Sequence, residues 1–297
     1  MSNVEVVCLG VITIDTIAQV ERYPAEDERV LANQIMRAGG GPAAVAAVAL
    51  SRLGISTAIV GTIGDDEDGA EVLRIFAREG VNTSGISIGA NATAGSVIVA
   101  SKVNSSRAIS TRQPMQQVAL SVAAKKLISE AKWIHVDHVG IKQLADENIS
   151  RGTGPKISFD AGYNVADFDS SLVDLFVPTD KQMELRFPGL ELTAAVERDA
   201  MAGKNITVAT QGSAGSTGYS VESGLVQADG FKVDVVSTLG AGDVFHGALL
   251  AQVIQGHNLA DSLKRANAVA ALSCRGLDGQ SMIPSTPELN SFLKEKS

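Results

Sequence analysis

The chain has 297 residues, 45% of them hydrophobic, and its 25 basic against 33 acidic side chains give a net charge of −8. That is enough material for one large α/β core with a small accessory element, and without any Lys/Arg-rich block a nucleic-acid surface is not expected. No apolar run reaches the roughly 18 residues that cross a bilayer, and MSNVEVVCLG enters a strand-like segment directly, so a cytoplasmic protein with no membrane partner is expected.

Val4 to Gly10 reads as a strand, and residues 42–53 as an almost wholly apolar helix with Pro42 in its first turn and Gly54 beyond its end. A strand at 57–60, a helix at 70–78 stopped by Gly80, and alternating patterns at 96–102 and 107–111 follow. From about Val118 helices and strands alternate: AKKLISEA, WIHVD, KISFD, LVDLFV, ELTAAVERDAMAG, ITVAT, FKVDVV, then two long helices from Gly240 to Arg275. Such a rhythm predicts βαβ units, hence a single three-layer α/β/α domain over residues 1–297 with a mostly parallel central sheet. Short strands at about 12–18, 30–37 and 95–112 lack intervening helices and predict a small β-sheet lid inserted into that domain. Cys8 and Cys274 are far apart with apolar neighbours, which predicts two reduced, buried thiols and neither a disulfide framework nor a CxxC metal site.

FKVDVVSTLGAGDVFHGALLAQVIQG is the most informative stretch. It predicts a strand at 231–236, a tight turn at Gly240-Ala241-Gly242, and a helix beginning at Asp243 and running to Gly256. Free N–H groups at a helix start, together with the helix dipole, form an anion site, and glycines let a phosphate approach the backbone. A carboxylate just beyond that turn can take the proton of an attacking alcohol while the amides hold the transferring phosphoryl group. Two other readings stay open from the residues alone. One is a plain strand-to-helix turn with an acid favoured by the dipole; the other is the dinucleotide loop of an oxidoreductase. Against the second, the glycines run GxGxxxxG, the segment lies late in the chain, and no Walker GxxxxGK[ST] is present. In HVDH, residues 135 and 138 face opposite ways on a strand and do not converge on a metal. Asp137 and His138 do end that strand at the edge where open α/β sheets bind ligands, which makes His138 a candidate substrate neighbour.

STLGAGDVFHGALL resembles the C-terminal signature of the ribokinase (PfkB) family of carbohydrate kinases, whose usual form is DTxGAGD, and AGGGPAAVAAVALSRLG resembles its first signature. GVITIDTI, GTIGDDEDG and VATQGSAG extend the likeness over essentially the whole chain, with wording nearest to the sulfofructose kinase and ketohexokinase branches. The resemblance implies ATP-dependent phosphorylation of a hydroxyl on a small sugar bound between the sheet's carboxyl edge and the lid. Asp243 matches the catalytic base, and the amides of Gly240, Ala241 and Gly242 the phosphoryl cradle. Asp15 matches an acceptor for sugar hydroxyls, Gly40 and Gly41 the turn beside the sugar, Thr210, Gly212 and Gly215 the loop beside the nucleotide phosphates, and Asn267 a position near the adenine. A homodimer through the lid is also implied.

The sequence departs from the family pattern at several positions. Ala44 replaces an Asn that contacts ribose, so a ketose-type or anionic sugar is favoured over ribose. Ser237 replaces the acid that opens DTxGAGD, which leaves the monovalent-cation site doubtful. Mg²⁺ is expected to arrive with ATP, but the metal-linked NxxE pattern survives only as TDKQME at 179–184, with Asp180 or Glu184 acting through water. Arg29, Arg107 and Arg112 lie in lid segments, and an arginine suits a phosphate or sulfonate. Arg29 and Thr111 stand at or near positions where sulfofructose kinase has sulfonate-pocket residues, whereas a further arginine of that pocket falls near His138-Val139. A nucleoside kinase of the same fold is disfavoured by an aromatic content of only 4%. A sugar-binding protein without catalysis remains the alternative of a different class.

Overall fold

Successive residues of the first strand serve two different cores, Val6 and Cys8 packing on one side of the sheet and Val7 and Leu9 on the other. That is the signature of a strand buried on both faces. The computed structural model describes residues 4–103, 106–112, 118–162 and 165–296. In chain order it contains β1 (Val6–Leu9), β2 (Thr13–Val20), β3 (Ala32–Gly40), α1 (Pro42–Arg52), β4 (Thr57–Gly64), α2 (Glu67–Arg78), β5 (Asn82–Gly89), β6 (Ser96–Ser101), β7 (Ser106–Thr111) and α3 (Val122–Glu130). There follow β8 (Trp133–Val136), α4 (Gly140–Asp146), β9 (Lys156–Ala161), β10 (Leu175–Pro178), α5 (Asp180–Arg186), α6 (Leu192–Gly203), β11 (Ile206–Thr210), β12 (Gly215–Ser220), β13 (Gly224–Asp229), α7 (Ala241–Ile254), α8 (Leu259–Ser273) and α9 (Thr286–Glu295).

The large sheet has the order β13-β12-β11-β10-β9-β8-β1-β4-β5. Pairing is parallel from β5 through to β11, and the β12–β13 hairpin adds an antiparallel edge. From β1 the chain first builds outward to β4 and β5, then returns to build β8 onward on the other side. The carboxyl end of β1 is therefore a topological switch point, where loops diverge and leave a crevice. Helices α1, α2, α7, α8 and α9 cover one face, and α3, α4 and α6 the other. Helix α1 is buried from Ala43 to Leu50, sandwiched between the sheet and α7. A Cβ on Gly247 of α7 would lie 2.6 Å from the Ala46 carbonyl oxygen, so a glycine there lets the two helices meet closely.

The lid is a separate sheet of order β3-β2-β6-β7. On β2, Asp15, Ile17 and Gln19 are buried, opposite Ala38, Met36 and Gln34 on β3 and alongside Ile98 and Ala100 on β6. This inner face packs onto Leu239 and Leu277, next to the Gly-Ala-Gly turn. The outer face exposes Ile35 and Val97.

The three-layer sandwich with a β lid matches the expectation, and so do α7 and α8. Cys8 and Cys274 are free, buried thiols. One predicted strand is absent: residues 231–236 pair with no strand. Their β-branched run favours extended backbone, but the N–H groups of Val236 and Ser237 donate to Cys274 O at 2.9 and 3.1 Å, which ties this segment to the end of α8 instead of to a sheet. The hairpin β12–β13, absent from the sequence reading, supplies the sheet edge in its place.

Candidate active site

Helix α7 starts from Gly240, whose φ of 71° is a left-handed value that glycine adopts without strain. No side chain caps this end. Ala241 N–H reaches Thr238 O at 3.3 Å, whereas among the described residues no acceptor takes the N–H of Gly242 or Asp243. Among the described residues, a Cβ on Gly242 would meet nothing within 4 Å. The expected cradle of three amides is thus narrower, because that of Ala241 is already engaged within the turn. Ser237 closes the turn from below, its Oγ accepting from Leu239 N at 3.1 Å.

Asp243 is half-buried in the first turn of α7. Burial first, then the Asp160 carboxylate and more weakly Asp137, push its carboxyl up to about 8, with His246 and Arg107 pulling the other way. Such a group is mostly protonated at neutrality and becomes a base of useful strength as pH rises.

The side expected to take the sugar is assembled from the lid and the start of α1. Asp15 accepts from Ser96 N at 3.0 Å, which ties β2 to β6, and burial raises its carboxyl against that bond. A Cβ on Gly40 would fall 2.1 Å from Asp15 Oδ2, so only glycine lets the carboxylate lie against this backbone. Gly41 has φ 95°, and a Cβ there would lie 2.3 Å from Val11 O. Gln280 approaches Gly39, and Gly279 abuts Gly240, so the 276–282 loop links the Asp15 side to the Asp243 turn without a break. Ile12, Thr13, Gly39, Gly40, Ala44 and Gln280 close around a gap at this junction that is too small to admit a water molecule.

The structure separates the basic candidates. Arg107 reaches from β7 across to Thr238 Oγ1 at 3.2 Å and lines a cavity of about 420 Å³ with Gln19, Ser101, Lys102, Ser237 and Thr238 among its walls. Arg112 donates to Thr93 O at 3.0 Å and braces the connection between β5 and β6, where Asp66 also accepts from Thr93 N. Arg29 is exposed in the loop between β2 and β3. His138 is exposed and lines a different cavity of about 780 Å³, formed by α4 and the sheet and touched by neither the lid nor the 240–243 turn.

On the opposite side, Thr210 ends β11 and bridges to Thr179 at the start of α5. Gly212 has φ 57° and open space at its Cβ position, whereas a Cβ on Gly215 would lie 2.1 Å from Ala228 O inside the hairpin. Asn267 is buried, and its Nδ2 donates to the carbonyls of Ala228 and Asp229 at 2.9 and 3.2 Å, which ties α8 to the end of β13. Asp180 is half-buried in the first turn of α5 and Glu184 is exposed one turn on. Open glycine positions, free amides and a carboxylate along one sheet edge fit a nucleoside triphosphate with its metal.

Three polar residues that the sequence reading did not assign complete the site. Asp137 is fully buried, and its carboxylate accepts from Val11 N at 2.7 Å and from Val139 N and Gly140 N at 2.9 Å, holding the loop after β1 against the start of α4. Asp160 and His246 form a buried pair described below. Their only trace in the sequence is an acid closing KISFD and a histidine inside the apolar run VFHGALL.

The model for pfkB family carbohydrate kinases matches residues 3–153 and 162–286. An ATP-dependent ribose-1-phosphate kinase from Halopiger xanaduensis is 26% identical, the match covering 99% of each chain. A ribokinase from Bacillus subtilis is 25% identical over 96% of this chain and 98% of its own. Arabidopsis thaliana ribokinase, solved with ribose and ATP, superimposes with a TM-score of 0.80 at 20% identity, covering 99% of each chain. A mostly parallel sheet with a β lid over a Gly-Ala-Gly-Asp helix start is the architecture of a sugar kinase. The chain belongs to the PfkB family of carbohydrate kinases.

Proposed function

We propose that this kinase transfers the γ-phosphoryl group of ATP to a hydroxyl of a ketose-type or anionic sugar, with Asp243 as the base. The supporting observation is the juxtaposition at the start of α7 of a carboxyl held near 8 with the unengaged amides of Gly242 and Asp243. Asp243 takes the hydroxyl proton, the alcohol oxygen bonds to the γ-phosphorus, and the bond to the β–γ bridging oxygen breaks to release ADP. Mg²⁺ arriving with ATP would offset the phosphate charge, and Asp180 or Glu184, through water, would hold it. The lid, once over the sugar, excludes water and suppresses ATP hydrolysis. We place the protein in the cytoplasm, where ATP is available; among the described residues no helix is long and apolar enough to cross a membrane.

Asp243→Asn should lower turnover about 10²–10⁴-fold while ATP affinity, read by calorimetry, stays within twofold. Retention of most of the activity would refute the role of the carboxylate. The substrate preference rests on Ala44, a buried apolar side chain at the start of α1, and on the basic cavity of Arg107 and Lys102. In a thermal-shift and kinase screen of ketoses, aldoses, sugar phosphates and sulfosugars, Arg107→Ala should raise KM for anionic sugars about tenfold or more and leave that for neutral sugars nearly unchanged. Equal effects on both classes would remove the anionic preference. We further propose that the lid's outer face pairs two copies of the chain.

A further inference from the structure

Beneath the first turn of α7 lies a charge pair that phosphoryl transfer does not by itself require. His246 follows Asp243 by three residues and so shares its helix face. The imidazole is buried: Nε2 lies 3.0 Å from Val177 O, and Nδ1 lies 2.8 Å from Asp160 Oδ2, within ion-pair range though off the line of an ideal hydrogen bond. A ring whose two nitrogens face a carbonyl and a carboxylate needs a proton on each, which makes it an imidazolium. Burial opposes that charge, but Asp160, the Val177 carbonyl and Asp243 outweigh it and hold His246 above the usual histidine range. Asp160 is likewise held below the usual carboxylate range, because His246 outweighs the cost of burial. His135, whose ring centroid is 6.3 Å away, stays neutral because burial and the His246 charge press it down to about 4.

A buried ion pair is costly to maintain and is weak evidence of stability, so its position asks for a role. The groups that face Asp243 are Asp160 from the end of β9, His246 from α7 itself, Asp137 from the end of β8 and Arg107 from the lid. Of these, Asp160 and His246 are in ion-pair contact with each other. We propose that Asp160 and His246 are a positioning pair for the base, a fixed carboxylate–imidazolium couple that orients the first turn of α7 and sets the proton affinity of Asp243. The inference rests on Asp243 being the base. Asp160 acts more strongly on Asp243 than His246 does, so the net effect of the pair is to keep the proton on.

The test needs no substrate. In protein labelled with ¹³C at aspartate carboxyls, the Asp243 resonance is identified by its loss in Asp243→Asn and its titration midpoint is followed in wild type, Asp160→Asn and His246→Asn. Asp160→Asn should move the midpoint to lower pH by about one unit. His246→Asn keeps a donor for Val177 O and serves as the second reading if Asp160→Asn fails to fold; its midpoint should shift by more than a few tenths of a unit. A midpoint unmoved in every variant that folds would overturn the proposal. A wild-type protein without kinase activity on any sugar would instead sink the assignment of Asp243 as base, whatever the titration shows.

Discussion

A carboxylic acid proposed to accept a proton near neutrality has to be prevented from ionising too readily, and burial and a second carboxylate behind Asp243 act in that direction. The same arrangement costs stability in a predictable pH range. The unfolded chain loses this proton near pH 4 and the folded chain near 8, so between those values the folded state binds more protons and stability falls as pH rises. Asp243→Asn abolishes that dependence. Relative to wild type, its melting temperature should be nearly equal at pH 4.5 and higher by a few degrees at pH 8.5; a difference that does not grow with pH would show that Asp243 is not destabilised by its surroundings. Gly40 makes a second point at this scale, since the residue needed beside the buried Asp15 is one that adds no atoms.

At the scale of elements, the close packing of α1 against α7 positions both halves of the proposed site, because α1 begins beside Gly40-Gly41 and α7 at Gly240. Both helices are apolar over most of their length, so the hydrophobic pattern predicts burial without predicting which helix each one meets. Gly247 shows the closeness of that meeting. A methyl group added there would press on Ala46 O and Ala46 Cα at 2.6 and 3.0 Å. Gly247→Ala should therefore destabilise the protein by about 1–3 kcal/mol in a denaturant titration, despite alanine's better helix propensity, and should raise KM for the sugar as α1 shifts. A neutral or stabilising result would mean the helices can separate freely.

For the whole molecule, the proposed pairing of two copies would join the lid's part in the site to assembly. Its inner face carries Asp15, Gln19 and Arg107 toward the Asp243 turn, and its outer face leaves Ile35 and Val97 with 68% and 57% of their surface exposed. These two exposed apolar side chains are the ones the proposed pairing of two copies would cover. Val97→Glu together with Ile35→Glu should convert a dimer to a monomer in sedimentation velocity while leaving the melting temperature of the core nearly unchanged. A wild-type protein that sediments as a monomer at tens of micromolar would remove the lid-mediated pairing.

The order of residues by itself determined the α/β class with a smaller second sheet and the Gly-Ala-Gly-Asp turn, because periodicity, glycine placement and helix starts are local properties that the chain carries wherever it folds. It misjudged 231–236, where extended backbone was legible but its hydrogen-bond partner, the end of α8, was not. Tertiary structure alone decided that Arg107 and not His138 reaches the Asp243 turn. It also decided that Asp160, 83 residues upstream in number, lies under that helix start, and that Asn267 spends its amide on the β13 carbonyls. Those outcomes depend on which strands become neighbours, and the crossover connections that bring β9 and α7 together are long-range contacts that no local pattern records.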